Sequence, residues 1–104
     1  MWPDSANGAQ MQVKWSRRAL LNLDNAVEYI GADKPAAAAD VAQRIWDTSQ
    51  MLAEQPGMGR PGRVVGTREL IIPGLPYILP YAEMEGALII LRVMHTSMKW
   101  PNKF

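Results

Sequence analysis

The chain has 104 residues, of which 48% are apolar, and it contains no cysteine. This length suits one compact domain with a substantial core rather than two domains. The absence of cysteine excludes disulfide bridges and thiolate metal sites, and no apolar run approaches the roughly 20 residues of a membrane-spanning helix. These features predict a cytoplasmic protein with no cofactor, no metal site and no membrane association.

The net charge of +1 conceals an uneven distribution of charged residues. Residues 1–54 contain five lysines and arginines against seven acidic residues, whereas residues 55–104 contain six against three. Four of those six cations are arginines, whose planar guanidinium groups suit phosphate or carboxylate recognition. The second half is therefore the predicted location of a cationic surface, although a solvated face without a partner explains these charges equally well.

The first ten residues, MWPDSANGAQ, have neither helical nor strand periodicity. We interpret residues 1–10 as a flexible N-terminal extension and residues 11–104 as a single domain. The domain begins with MQVKW, whose alternation of apolar and polar positions predicts a short, half-buried strand.

Two amphipathic helices follow this strand. Ser16 is a suitable N-cap for the first helix, and Gly31 stands where that helix should end. Pro35 is predicted to be the first residue of the second helix, where its missing N–H costs nothing. The predicted apolar faces are Leu20, Leu23, Val27 and Ile30 in the first helix and Ala38, Val41, Ile45, Thr48 and Leu52 in the second. Because only a few residues separate the helices, we expect an antiparallel hairpin.

The second half contains three apolar, β-prone segments, TRELIIPG, LPYILPYAEM and ALIILRVMH. Pro73–Gly74 separates the first two and Glu85–Gly86 separates the last two, which predicts turns at both places. Pro80 has no N–H to donate, so we expect a bulge or one-sided pairing at this position. Leu88–Leu91 is expected to be the central strand that covers the helices, and the residues after it are expected to leave the core.

The predicted order of elements is therefore β-α-α-β-β-β. Helices that precede a three-stranded meander pack on one face of a mostly antiparallel sheet, which makes this an α+β fold. The first strand must join the same sheet to bury its own apolar side.

Four segments in this order resemble the RelE/ParE superfamily of bacterial toxins: VKWSRRALLNLDNAVEYI, LAEQPGMGRPGR, TRELIIPGLPYILPY and ILRVMHTSMKWP. The resemblance extends from about Val13 to Pro101, which is nearly the whole domain. Its strongest parts, PGMGRPGR and RVMHTSM, look closer to the ParE branch than to the RelE branch. Members of this superfamily are the toxin components of type II toxin–antitoxin pairs.

The resemblance implies two alternative activities. ParE-like toxins inhibit DNA gyrase without cutting nucleic acid themselves, whereas RelE-like toxins enter the ribosomal A site and cleave mRNA without a metal ion. Both branches imply a cognate antitoxin that wraps the toxin in a hetero-oligomer and masks its working surface. A third interpretation, from a different class, is a non-toxic binding module that kept the fold and lost the activity.

An mRNA endonuclease needs an acid and a base for the two reacting oxygens and a cation for the phosphorane charge. Under that interpretation the candidate catalytic residues are His95, which is the only histidine, with Arg92 and Arg68. The nearly neutral net charge argues against it, because proteins that dock on RNA usually carry a larger basic excess. We therefore favour a gyrase inhibitor over an enzyme, with gyrase itself resting on resemblance alone.

For either target we expect one binding surface on the sheet face and rim away from the helices. Its predicted residues are Arg60, Arg63, Arg68, Arg92, His95, Lys99 and Trp100. A strand end held by a packed sheet is a rigid platform for such side chains. Structural alternatives exist for two of them, since His95 could cap a strand end and Arg92 could pair with Glu69 or Glu83.

Overall fold

The computed structural model describes residues 11–104, so the predicted extension at residues 1–10 lies outside the described residues. The helices are α1 (Arg17–Gly31) and α2 (Pro35–Gln50), and a 3-10 turn at Met51–Ala53 follows α2. The strands are β1 (Gln12–Trp15), β2 (Arg60–Pro61), β3 (Arg68–Ile71), β4 (Tyr77–Met84), β5 (Ala87–Ile90) and β6 (Met94–His95). The predicted order of the main elements is confirmed, and the two-residue strands β2 and β6 are additional to it.

The six strands form one mixed sheet with the order β1-β5-β4-β3-β2, and β6 pairs with β4. The β1–β5 pair is parallel, and the other four pairs are antiparallel. The two helices pack against each other and against one face of this sheet. The predicted α+β fold is therefore confirmed. The central strand is β4, however, so the prediction that Leu88–Leu91 is central is wrong.

The two faces of the sheet bury different kinds of side chain. The helix face carries Tyr77, Leu79, Tyr81, Leu88 and Ile90, which form one buried cluster with residues of both helices. The far face carries Glu69, Ile71, Ile78, Pro80 and Ala82. Each fully buried aliphatic side chain on the helix face stabilises the fold by about 1.5–3 kcal/mol.

Helix α1 begins where predicted because Ser16 caps it. The Ser16 hydroxyl accepts a hydrogen bond from the Ala19 N–H at 3.0 Å and donates one to the Leu91 carbonyl at 3.0 Å. These two bonds tie the start of the helix to the end of β5. The apolar face of α1 is displaced from the prediction, since Ala19 is fully buried and Leu20 is 45% exposed. Leu20 therefore lies on the surface of the helical hairpin rather than in the core.

Pro80 lies where β4 changes its partner on one side. Strand β5 pairs with Tyr81–Met84, and β6 pairs with Tyr77 and Ile78. Between these two ladders the Pro80 carbonyl accepts the Leu91 N–H at 2.8 Å, while the proline nitrogen has no proton to donate. This arrangement agrees with the predicted one-sided pairing. The chain then rejoins the sheet as β6, so the prediction that it leaves the core directly after Leu91 is wrong.

Candidate target-binding surface

A buried carboxylate organises the arginines of the loop between α2 and β3. Glu69 on β3 is 1% exposed, and its Oε1 accepts hydrogen bonds from Arg60 Nε at 3.1 Å and Nη2 at 2.9 Å. Its Oε2 accepts the Arg63 backbone N–H at 2.8 Å and lies 3.4 Å from Arg63 Nε. Both arginine side chains remain about half exposed, at 47% and 50%. One buried acid therefore holds two solvent-accessible guanidinium groups in fixed positions.

The pKa of Glu69 reflects two opposing effects. Burial raises the pKa, whereas the hydrogen bonds from Arg63 and Arg60 and the positive charges of both arginines lower it. The lowering effects are together larger, so the pKa lies below its ordinary value of 4.5. The carboxylate is therefore charged at neutral pH, and with two cations beside it the cluster keeps a net positive charge.

The glycines of the PGMGRPGR segment let this loop approach the sheet. A Cβ atom at Gly59 would lie 2.7 Å from the Tyr81 ring and 2.8 Å from the Glu69 backbone carbonyl. The Tyr81 hydroxyl accepts the Gly59 N–H at 2.9 Å and donates to the Pro56 carbonyl at 2.8 Å. Burial raises the pKa of Tyr81, which keeps the hydroxyl protonated for that second bond. This loop, residues 54–67, is called the arginine loop below, and these contacts fix it to the sheet.

The C-terminal tail places Trp100 against the arginine loop. The guanidinium carbon of Arg63 lies 3.9 Å from the centre of the Trp100 ring, which is a close cation–π contact. Trp100 meets the Phe104 ring edge to face at a centroid distance of 6.4 Å, and Arg92 lies 5.5 Å from the Phe104 ring centre. The structure therefore brings Arg60, Arg63 and Trp100 together and connects Arg92 to them through Phe104.

Arg68 points to the opposite side of the sheet from Glu69, its neighbour in β3. It pairs in register with Tyr81 on the helix face, and its Nη1 donates to the Gly59 carbonyl at 2.6 Å. Consecutive side chains of a strand point to opposite faces, so Arg68 and Glu69 cannot share one. The prediction that Arg68 lies on the face away from the helices is wrong. It fastens the arginine loop from the helix side instead.

His95 also lies on the helix side of the sheet. It pairs in register with Tyr77, and the two rings meet edge to face at 5.4 Å. Its Nδ1 accepts the Ser97 N–H at 3.1 Å and lies 2.7 Å from the Ser97 hydroxyl, so Nε2 is the nitrogen left for another partner. An adjacent cleft of about 230 Å³ is lined by Asn22, Asn25, Ala26, Tyr29, Tyr77, Val93, His95 and Met98. The predicted far-face position is therefore wrong for His95 as well.

Two of the three candidate catalytic residues lie far apart. Arg68 pairs with Tyr81 and His95 pairs with Tyr77, four residues away on β4, which corresponds to about 13 Å along the strand. The two residues also flank β4 on opposite sides, which adds two strand spacings of about 5 Å each. The structure does not bring Arg68 and His95 around one reacting group.

Arg92 and Lys99 complete the predicted set. Arg92 is partly buried beyond the end of β5, and burial, together with the nearby positive charge of Arg18, lowers its pKa. Lys99 is exposed in the tail, next in sequence to Trp100. Both side chains reach the surface. Arg92 also lies over the ring of Phe104, and Phe104 in turn contacts Trp100 beside the arginine loop.

Sequence reasoning missed the roles of Glu69 and Phe104 in this surface. The sequence predicts Glu69 only as an alternative partner of Arg92, whereas in the structure it binds Arg60 and Arg63. A glutamate within the apolar segment RELII is a usable signal, because a buried acid requires cationic or hydrogen-bonding partners. No local pattern indicates that Phe104 returns to the sheet.

Within residues 11–104, no three histidine, cysteine or acidic side chains are grouped so that they could hold a metal ion. None of the helices described for those residues is long and apolar enough to cross a membrane. The chemistry that the described surface offers is that of oriented arginines and aromatic rings.

The fold and this surface define a small α+β protein that presents fixed arginines and aromatic rings beside its sheet. The chain belongs to the ParE toxin family: the family model described as "ParE toxin of type II toxin-antitoxin system, parDE" matches residues 13–100. The resemblance to the RelE/ParE superfamily that the sequence shows is therefore confirmed.

Individual relatives agree with membership in the RelE/ParE superfamily. The chain is 44% identical over 94 residues to "Putative toxin Y4kP" of Sinorhizobium fredii, covering 90% of this chain and 97% of the relative. It is 34% identical over 86 residues to "Toxin RelE2" of Caulobacter vibrioides, covering 83% of this chain and 96% of the relative. A chain in the solved structure of the chromosomal ParDE TA system from P. aeruginosa matches with a TM-score of 0.77 and 28% identity, covering 83% of this chain and 96% of that one.

Proposed function

We propose that this toxin acts by binding and inhibiting DNA gyrase, that it is not itself an enzyme, and that a cognate antitoxin neutralises it. Its place as a type II toxin follows from the family to which the chain belongs. Gyrase as the target rests on the likeness to ParE toxins. The residues proposed to contact the target are Arg60, Arg63, Arg92, Lys99 and Trp100, without Arg68 and His95, which lie on the helix side of the sheet.

The observation that carries this proposal is the separation of two of the three candidate catalytic residues, Arg68 and His95. Metal-independent RNA cleavage needs an acid, a base and a phosphate-binding cation around one phosphodiester. Arg68 and His95 lie on opposite sides of β4 and four register positions apart, and Arg68 Nη1 is engaged by the Gly59 carbonyl at 2.6 Å. A protein that only binds its target needs no such convergence, because a binding surface can extend over several elements.

The net charge of the chain and the residue types of its surface also favour a protein target. Binding to RNA or DNA phosphates depends on a large excess of lysine and arginine, whereas this chain has a net charge of +1. Arginine and tryptophan are enriched among the residues that dominate protein–protein affinity. The stack of Arg63 on Trp100 at 3.9 Å pairs those two residue types.

Plasmid supercoiling by purified gyrase tests the proposal. The chain should inhibit supercoiling in a dose-dependent manner, prior incubation with its antitoxin should restore the activity, and relaxation by topoisomerase I should be unaffected. Gyrase would be removed as the target if expression of the chain arrests growth and the purified chain, at saturating concentration, leaves supercoiling unimpaired. Normal growth on expression without antitoxin would instead support the non-toxic binding module.

A second candidate function is ribosome-dependent mRNA cleavage, with His95 as acid or base and Arg92 on the phosphate, because Arg68 lies too far from His95 to share its substrate. The cleft of about 230 Å³ beside His95 and the relative named "Toxin RelE2" favour it. Because Nδ1 of His95 accepts from Ser97, Nε2 is the atom that would exchange the proton. Primer extension on translated messages should then show codon-phased cuts that disappear in His95→Ala. An intact message pool would eliminate this function.

The site proposed for the antitoxin is the apolar surface of the helical hairpin. Trp15 and Trp46 stack at 5.5 Å, and a groove of about 590 Å³ nearby is lined by Trp15, Arg17, Leu20, Leu21 and Asp24. Exposed apolar grooves mark protein interfaces, and an amphipathic antitoxin helix would fit this one. Leu21→Glu should abolish copurification with the antitoxin, whereas Val65→Glu, at a 97% exposed position in the arginine loop, should not. Retained copurification of Leu21→Glu would contradict this site.

A further inference from the structure

The arginine loop borders a groove that the proposed function leaves without a role. The groove has a volume of about 220 Å³ and is lined by Val64, Val65, Gly66, Thr67, Ala82, Met84, Leu91, Lys103 and Phe104. It adjoins the Arg63–Trp100 stack, because Val64 follows Arg63 in the loop and Phe104 meets Trp100 edge to face. Val65 is 97% exposed and Met84 is 49% exposed, so apolar side chains of the groove face solvent.

Arg63 is firmly held for a side chain that is half exposed. Its guanidinium lies over the Trp100 ring, its Nε is 3.4 Å from Glu69 Oε2, and its backbone N–H donates to the same oxygen. Within the part of the chain that the structure describes, its two Nη groups have no hydrogen-bonding or ion-pair partner. Arg60 is held by Glu69 through Nε and Nη2, and its Nη1 likewise has no such partner among the described residues. Arginines fixed in advance lose little freedom when they bind an anion.

The surroundings of these two arginines favour an anion carried by a protein. Apolar side chains, which include valine, alanine, methionine, leucine and phenylalanine, line most of the groove, and Lys103 is its one charged residue among those described. A nucleic-acid site requires rows of cations that follow the phosphates, which this groove does not offer. An apolar groove next to a fixed arginine and a tryptophan matches the centre of a protein–protein interface.

We propose that Arg60, Arg63 and Trp100 form a clamp for a side-chain carboxylate of the target protein, and that the adjoining groove takes an apolar side chain from the same segment. The partner is therefore an exposed segment in which acidic and apolar residues are neighbours. This inference rests on the proposed function, since it specifies what the target-binding surface recognises. Glu69 is a positioning residue in this site, because it orients both arginines without contacting the partner.

Titration with short peptides tests the clamp directly. The probe is acetyl-Gly-Glu-Leu-Glu-Gly-amide, and its matched control has glutamine in place of both glutamates. Binding is followed through the indole N–H signal of Trp100 in a ¹H–¹⁵N spectrum, assigned with Trp100→Phe. The glutamate peptide should move this signal, leave those of Trp15 and Trp46 in place, and bind at least tenfold more weakly to Arg63→Gln. Arg44→Gln, at an exposed arginine of α2 that bonds the Pro73 carbonyl, should bind as the wild type does.

Three outcomes would overturn the clamp. The first is equal binding of the glutamate and glutamine peptides, and the second is unchanged binding by Arg63→Gln. The third is a larger shift of the Trp100 signal with an oligodeoxythymidylate than with the peptide, which would make the ligand a nucleic acid. Val65→Glu is an independent test of the groove. A carboxylate at the groove rim should weaken the binding of the glutamate peptide and leave the fold intact.

The supercoiling assay separates this inference from the proposed function. Arg63→Gln should lose at least tenfold in gyrase inhibition and still copurify with the antitoxin. If the wild type inhibits gyrase and Arg63→Gln inhibits it equally, the clamp is wrong and the proposed function stands. If the wild type does not inhibit gyrase, the proposed function fails, and the peptide titration still decides whether the clamp exists. If Arg63→Gln loses the antitoxin and keeps its inhibition, the occupant is the antitoxin and the proposal is wrong.

Discussion

The two faces of the sheet are built by different physical means. On the helix face, Leu79, Leu88 and Ile90 are fully buried against two helices, and their burial is favourable without any specific geometry. On the far face, the fully buried groups include Glu69 and Pro80, and the adjoining contacts are oriented ones between arginines, a carboxylate and aromatic rings. Stability should therefore depend mainly on the helix face, whereas the far face supplies fixed groups for recognition.

The largest effect is expected from the helix face. Leu79→Ala removes a fully buried side chain and should lower the free energy of unfolding by about 3.5 kcal/mol, the middle of the roughly 2–5 kcal/mol range for buried leucines. Ile71→Ala is the matched change on the far face, where the side chain is 50% exposed, and should cost less than about 0.5 kcal/mol. Urea unfolding of both variants measures the difference. Equal losses would contradict the division of roles between the faces.

The next largest effect is expected at Glu69, the buried acid of the far face. Glu69→Gln removes the charge that binds Arg60 and Arg63 and should cost about 2 kcal/mol, the range for hydrogen bonds to charged groups. Glu83→Gln, at an exposed position on β4, is the control and should change stability by less than about 0.5 kcal/mol. Urea unfolding at neutral pH compares the two. A loss at Glu69→Gln as small as that of the control would mean that the arginines do not depend on Glu69.

The same carboxylate predicts a pH dependence. Because the pKa of Glu69 is lower in the folded protein than its ordinary 4.5, its contribution is complete above that pH. As the pH falls below about 4.5, the unfolded chain takes up a proton before the folded one does, so stability declines until the folded pKa is passed. Urea midpoints measured from pH 6 to pH 3 should fall more steeply for the wild type than for Glu69→Gln. Parallel curves would contradict the lowered pKa.

A smaller effect is expected where the arginine loop meets the sheet. Gly59→Ala places a Cβ atom 2.7 Å from the Tyr81 ring, and such overpacking should cost about 1.5 kcal/mol. Gly57→Ala is a matched control two residues earlier, since a Cβ atom there would meet no atom within 4 Å. Thermal unfolding of the two variants tests the contact. A Gly57→Ala variant that is the less stable of the two would show that backbone freedom, rather than close approach, determines the loop.

The helix boundaries could be predicted because they depend on neighbouring residues. The Ser16 hydroxyl reaches an N–H only three positions away, and Pro35 fits the first turn of a helix through its own ring geometry. The antiparallel segments after residue 66 were recognisable from their β-prone composition and the turns between them. These local signals fixed the order of the elements and hence the fold class.

The faces of the functional residues could not be predicted in the same way. Arg68 and His95 lie on the helix side because of their register with Tyr81 and Tyr77, and a register shift of one residue would reverse both. That register is set by residues distant in the sequence. Strand β6 is only two residues long, so it has no periodicity that the sequence could reveal. The contact between Arg92 and Phe104 joins residues on either side of β6 and the tail that follows it, and no local pattern predicts such a contact.

The smallest effect we predict concerns the contact that joins the tail to the arginine loop. Arg63→Lys keeps the charge but loses the planar group that stacks on Trp100, and should cost about 0.5–1 kcal/mol. A double-mutant cycle with Trp100→Leu isolates this term, because the two single losses should sum to more than the loss in the double variant. The same cycle between Arg44→Lys and Trp100→Leu should give additive losses, since Arg44 bonds the Pro73 carbonyl instead. Additivity in the first cycle would mean that the tail lies against the loop without the cation–π contact. Trp100 would then not help to hold Arg63 in the target-binding surface, whereas the helix face would be unchanged.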